Sequence, residues 1–180
     1  LLREQRHPNL SVNLVDSVDY PLFKAIGTPF TLLEASKMVE VVNENQLDII
    51  HCHYIIPHSM AAFIAKELTG VKTISTAHGS DVHSVGMEKG LRATVNLALR
   101  KADYITSVSN FLADSLREKF QVRCPIETIY NFIDTEVFRP LKQKEPLYHD
   151  GVENVIVSIS NFREVKRIPL LVRAFAKVLQ

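Results

Sequence analysis

Short apolar runs of strand length alternate along the chain with longer stretches in which apolar residues return every three or four positions. Strand side chains alternate between faces while helical ones recur with a period of 3.6, so the two patterns can be told apart. LSVNLVDS (10–17), LDIIHCHY (47–54), VKTISTAH (71–78), DYITSVS (103–109), IETIYNF (126–132) and VIVSIS (155–160) predict strands. Between them, TLLEASKMVEVVNE (31–44) puts Leu32, Leu33, Ala35, Met38, Val41 and Val42 on one helical face, and Thr31 with Glu34 fits a capping box. PHSMAAFIAKELTG (57–70) reads as a helix opened near Pro57 and closed by Gly70. MEKGLRATVNLALRKA (87–102), NFLADSLREKF (110–120) and PLLVRAFAKVLQ (169–180) complete the helices.

Strands alternating with helices of ten or more residues predict βαβ units, right-handed crossovers and a parallel sheet. LDIIHCHY and DYITSVS are largely apolar without clean alternation, as expected of strands covered on both faces. The fold class is α/β, doubly wound. After residue 139 the composition changes: RPLKQKEPLYHDGVEN carries two prolines, charges and one glycine, and it reads as a linker. The expected organisation is a domain over 1–139, a linker over 140–154, and the start of a second α/β domain over 155–180. The chain opens on Leu1 and stops within an amphipathic pattern, which predicts an internal piece of a longer protein.

At 180 residues and 46% apolar content the chain can bury a core of its own. Lys and Arg total 21 against 20 Asp and Glu, a net charge of +1, which argues against a nucleic-acid-binding surface. Cys52 and Cys124 share no motif spacing and read as reduced thiols of a cytoplasmic protein. No apolar run reaches the ~18 residues of a membrane span, and no signal peptide is visible. The sequence leaves room for a homo-oligomer.

Open parallel sheets bind ligands beyond the carboxyl ends of their strands. Those ends are polar here: His51, His53, Tyr54 and His58 after one strand, Thr76, His78 and Asp81 after the next, then Asn110, then Tyr130 and Asn131. In HCHYIIPH (51–58), His51 and His53 share a strand face and a His-x-His pair can hold zinc, yet no cluster at ligand spacing accompanies it and Cys52 points the other way. Hydrogen-bonded imidazoles are the stronger reading, and no metal is expected. In AHGSDVH (77–83), Gly79 allows a tight turn that sends His78 and Asp81 into the cleft; the plainer alternative is a loop held by an Asx-type bond from Asp81. NFREVKR (161–167) gathers Arg163, Lys166 and Arg167 before a helix whose Pro169 sits near its start, a natural place for a phosphate.

Taken in order, HYIIPH, STAHGSD, SVSNFL, TIYNFID and SISNFREVKR resemble the GT-B glycosyltransferases of family four. The resemblance implies two Rossmann-like domains, the acceptor held by the N-terminal one and a nucleotide-sugar donor by the C-terminal one. Within that family, HYIIPH with SNFREVKR is most similar to members that pass N-acetylglucosamine from UDP-GlcNAc to the small dicarboxylate L-malate, the first step of bacillithiol synthesis. That implies a retaining hexosyltransferase with no cofactor and no bound metal. By position, Lys166 matches the lysine on the donor diphosphate, Arg163 is a second cation beside it, and Asn161 stands in the donor set where most members have arginine. His78 matches the histidine next to the transferring sugar, and Tyr54, Thr76 and Asn110 match the acceptor-pocket positions. The resemblance places the family's Gly-rich loop before Leu1 and its acidic donor-binding segment after Gln180. The rival readings are a family-four enzyme with another acceptor, a non-catalytic nucleotide-binding module, and a metal hydrolase built on HCHYIIPH.

Overall fold

The computed structural model describes residues 8–140 and 155–179. The expected linker falls almost wholly outside them. By its internal contacts the chain divides into two units, Leu1–Ile133 and Asp134–Gln180.

In the first unit, α1 (Pro21–Ile26) and α2 (Phe30–Asn45) precede β1 (Ile49–His53). An irregular turn (Ile55–Ser59), extended at Ile56 (φ −114°, ψ 129°), leads into α3 (Met60–Thr69), then β2 (Lys72–Ala77) and the single turn α4 (Ser80–His83). A 3-10 turn (Val85–Met87), α5 (Arg92–Lys101), β3 (Tyr104–Ser107), α6 (Asn110–Lys119) and β4 (Ile126–Thr128) complete it. The four strands lie in the order β1-β2-β3-β4, and every pairing is parallel. Strands laid down in sequence by right-handed crossovers place their connecting helices α3, α5 and α6 on one face. That face holds the core: Ile55, Ala77, Val82, Val95, Leu99, Ile105, Leu112, Leu116 and Phe120 are all buried. Fully burying one such side chain is worth about 1.5–3 kcal/mol. The opposite face is polar at its upper end, where His53 pairs with Thr76 and Thr76 with Thr106 across the register.

The expected α/β pattern is present, with differences that have physical causes. Residues 10–17 are exposed and form no strand, and neither do residues 155–160. Apolar alternation supplies a face, but a strand also requires a neighbour to take its backbone hydrogen bonds, and neither segment has one among the described residues. The run 126–132 pairs only through Thr128, after which Ile129 N–H still reaches the Ser107 carbonyl at 2.9 Å before the chain leaves the sheet. The helix expected from Met87 starts at Arg92, since Gly90 weakens a helical interior by about 1 kcal/mol and Val85–Met87 forms its own turn. The helix expected from Pro57 begins at Met60, after the irregular turn that contains Pro57, and Gly70 closes it in the left-handed conformation (φ 77°).

No capping box forms on α2. The helix begins at Phe30, so Thr31 already lies inside its first turn, and no side chain caps the end. Glu34 is instead 8% exposed and pairs with Nδ1 of His58, in the turn that precedes α3. A real N-cap occurs on α6, where Ser109 Oγ accepts from the Leu112 amide at 3.2 Å.

In the second unit a 3-10 turn (Glu164–Lys166) runs through Arg167, in a left-handed conformation (φ 50°), into α7 (Ile168–Val178). No helix among the described residues is long and apolar enough to cross a membrane.

Candidate functional site

The carboxyl ends of β1 and β2 create the site. At the exit of β1 the Tyr54 amide donates to the Thr76 carbonyl at 3.0 Å, and the next amide, Ile55, donates to Asp81 Oδ2 at 3.0 Å. Two fixed amides in a row hold Tyr54 at φ 73°, ψ 126°, a region L-residues rarely adopt. Such strain costs about 1–3 kcal/mol and persists only where surrounding contacts impose it. The Tyr54 ring, 44% exposed, lies 4.7 Å from the His78 ring.

Asp81 is the hub of these turns. Only 2% exposed, it accepts from Ile55 N–H, from Gly79 N–H at 2.7 Å and from His78 N–H at 3.1 and 3.2 Å. It does not project into the cleft; the Asx-type alternative is the one realised. Gly79 adopts φ 121°, which a side chain at this turn would resist. Gly86 fixes the next turn by a different route: a Cβ there would lie 2.1 Å from the Asp81 carbonyl oxygen.

A tier of imidazoles sits above. His51 and His53 share a strand face with ring centroids 4.6 Å apart, and Nδ1 of His53 lies 2.9 Å from Nε2 of His78. His51 Nε2 lies 2.7 Å from Thr76 Oγ1, which in turn lies 2.6 Å from Thr106 Oγ1. Burial, with the neighbouring His53 and His78 adding to it, lowers the pKa of His51. Cys52 faces the other way, its Sγ 3.5 Å from the His58 carbonyl oxygen, and burial aided by Glu34 pushes its thiol up to about 12. Among the described residues no three His, Cys, Asp or Glu side chains form a group able to hold a metal ion.

The tier opens on a cavity of about 290 Å³ lined by His51, His53, Thr76, His78, Thr106, Val108 and residues 129–132. Thus the structure brings Tyr54, Thr76 and His78 together. Thr76 is buried, with its hydroxyl already shared by His51 and Thr106. Asn110, exposed at the start of α6, does not line this cavity. Sequence reasoning gave His51 and His53 a packing and hydrogen-bonding role, which the structure shows, and omitted Thr106. Strand register was the missing signal, since it puts Thr106 beside Thr76.

In the second unit Arg163 Nε lies 3.3 Å from Asn161 Oδ1, and both residues are exposed. A wide cavity of about 950 Å³ is lined by Arg163, Arg167 and Arg173 with Glu164 and apolar neighbours, at the N-terminal end of α7. Lys166 closes the 3-10 turn and stands outside that wall. Arg173 was not foreseen, although one helical turn beyond Pro169 returns it to the same face. Three guanidinium groups at a helix N-terminus suit an anion bearing several oxygens.

Residues 2–137 match the Glycosyltransferase Family 4 profile. The chain belongs to glycosyltransferase family 4. It is 36% identical to N-acetyl-alpha-D-glucosaminyl L-malate synthase of Bacillus anthracis over 180 aligned residues, 96% of this chain and 46% of that protein. It is also 26% identical to an uncharacterized glycosyltransferase of Methanocaldococcus jannaschii, over 82% of this chain and 39% of that protein. The chain therefore spans less than half the length of either relative. Its parallel α/β unit is the Rossmann-like half expected of a family-4 member.

Proposed function

We propose that this chain carries the acceptor side, and the beginning of the donor side, of a retaining glycosyltransferase that moves N-acetylglucosamine from UDP-GlcNAc to the hydroxyl of L-malate. The observation that carries this reading is the joint placement of Tyr54 and His78 at one edge of a parallel sheet, ring against ring, beside a cavity walled by His78 and the Thr76 and Thr106 residues. The malate acceptor is inferred from the Bacillus anthracis relative, whose name specifies an L-malate product.

The malate hydroxyl oxygen attacks the anomeric carbon from the side on which UDP departs. The bond from that carbon to the β-phosphate oxygen breaks, its electron pair stays on the phosphate, and the hydroxyl proton passes to the same oxygen. No pair of carboxylates is required, unlike glycoside hydrolysis, and no metal is assigned to the reaction. Charge developing on the leaving phosphate calls for fixed cations, for which Lys166 and Arg163 are assigned, with Asn161 beside Arg163. Each positioned donor of this kind is worth about 2.7–4 kcal/mol of barrier. His78 contacts the transferring sugar, and Tyr54 and Thr76 belong to the acceptor pocket; Asn110, outside the cavity wall, is assigned to it by the family resemblance alone.

The test uses the full reading frame that encodes this chain. UDP release from UDP-GlcNAc is measured with and without L-malate, and the anomeric configuration of the product is read by NMR. Malate-dependent release of an α-product is expected. Equal release without malate, or a β-product, would refute the reading.

A further inference from the structure

His78 is held twice. Its amide is anchored on Asp81, and its ring Nε2 lies 2.9 Å from Nδ1 of His53. The Tyr54 ring sits 4.7 Å from it. Its other ring nitrogen, Nδ1, has no hydrogen-bond partner among the described residues. A neutral imidazole carries one N–H donor and one acceptor nitrogen, so a bond between two imidazoles requires one ring to donate and the other to accept. The tautomer of one ring then dictates that of the other.

We propose that His53 is the positioning residue of His78: by engaging Nε2 it fixes one tautomer and one ring orientation, and leaves Nδ1 as the nitrogen that meets the substrate. This rests on the transfer reading for its purpose, though not for its geometry. The pair also has a proton limit. One added proton can be shared along the bond, but a second would put hydrogen on both facing nitrogens and break it. The titratable and charged groups facing the pair are His51 on the same strand, Tyr54 against the His78 ring, Asp81 at the His78 amide and Tyr130 in the cavity wall. Of these, only Asp81 is a carboxylate, and its oxygens are engaged by three backbone amides.

The experiment records ring 15N spectra of the labelled chain between acid and mildly alkaline pH. Wild type is expected to show one protonated and one bare nitrogen on His78 at high pH, with the facing nitrogens of His78 and His53 in opposite states. His53→Asn presents an amide where Nδ1 stood and should keep the His78 tautomer. His53→Leu should let the two His78 nitrogens average. In the UDP-release assay His53→Leu should lower kcat by about 10–100-fold, the usual loss when the group orienting a functional imidazole is removed, with the KM for malate little changed, and His53→Asn should recover most of it. Averaged His78 nitrogens in wild type would overturn the proposal, as would an unchanged His78 tautomer in His53→Leu. If His53→Leu does not fold, the wild-type spectra and the Asn variant decide. Absence of any transfer by the wild-type protein would refute the functional reading, while the ring spectra would still decide the pairing.

Discussion

Replacing Asp81 should unfasten the candidate site from beneath. Its carboxylate serves three backbone donors, with N···O distances of 3.0 Å from Ile55, 2.7 Å from Gly79 and 3.1 Å from His78. A buried donor left without a partner costs about 1–3 kcal/mol. Three would sum to about 3–9 kcal/mol, but turns relax and water enters, so Asp81→Ala should lose about 3–5 kcal/mol. That is a large share of the ~5–15 kcal/mol that holds a domain folded. Asp81→Asn is the finer probe. Its remaining oxygen can serve Gly79 and His78, but its NH2 then faces the Ile55 amide, donor against donor, for a loss of about 1–3 kcal/mol. Urea unfolding gives the totals, and native-state hydrogen exchange gives the sites. In the Asn variant the Ile55 amide should lose protection while Gly79 keeps most of its own. An Asp81→Ala variant destabilised by less than about 1 kcal/mol, or uniform loss of protection in the Asn variant, would refute the hub.

Lys166→Ala should leave the fold intact, since the side chain is exposed, yet strongly reduce UDP release by the full-frame protein; near-normal release would remove Lys166 from the diphosphate role. Gly86→Ala should destabilise by well over the ~1 kcal/mol of a typical substitution, because the new Cβ meets the Asp81 carbonyl at 2.1 Å and only backbone movement relieves it; denaturant midpoints check this. Asp103, bonded to Lys66 at 2.6 Å and to the Thr73 amide at 2.9 Å, has its pKa lowered from 3.8 to about 2: burial alone would raise it, and the Lys66 bond and the other contacts outweigh burial. A depressed carboxyl pKa stabilises the fold above the unfolded value, and that contribution disappears as pH falls from 3.8 through about 2. Asp103→Asn should flatten the acid limb of stability against pH in that window. A chelator should leave turnover unchanged, and activity abolished by chelation and restored by zinc would overturn the metal-free mechanism.

The α/β pattern was legible because buried strands and amphipathic helices write their periods locally. LDIIHCHY, VKTISTAH and DYITSVS each contain an observed strand, and their polar exits marked the edge where the site lies. What could not be read was whatever depends on a partner. LSVNLVDS and VIVSIS have strand composition but nothing to pair with among the described residues. Thr31 and Glu34 have capping-box spacing, yet His58, distant in sequence, takes the carboxylate. Asp81 looked like a cleft residue because sequence shows a polar side chain but not the three amides that turn it inward. Thr106 entered the site only through register, which sets it beside Thr76 and, through Thr76, in line with His53.

On the proposed acceptor-pocket role of Tyr54, its backbone sets stability and function against each other. At φ 73° a glycine would be comfortable, whereas tyrosine stays only because the Thr76 carbonyl and Asp81 pin the amides on either side of its Cα. A library randomised at this position and screened for heat resistance alone would be drawn towards Gly or Asn and would discard the ring that faces His78. Under the proposed function, thermostabilising this scaffold therefore demands a paired selection in which every round also scores sugar transfer, for position 54 is where a more robust protein would most readily become an idle one.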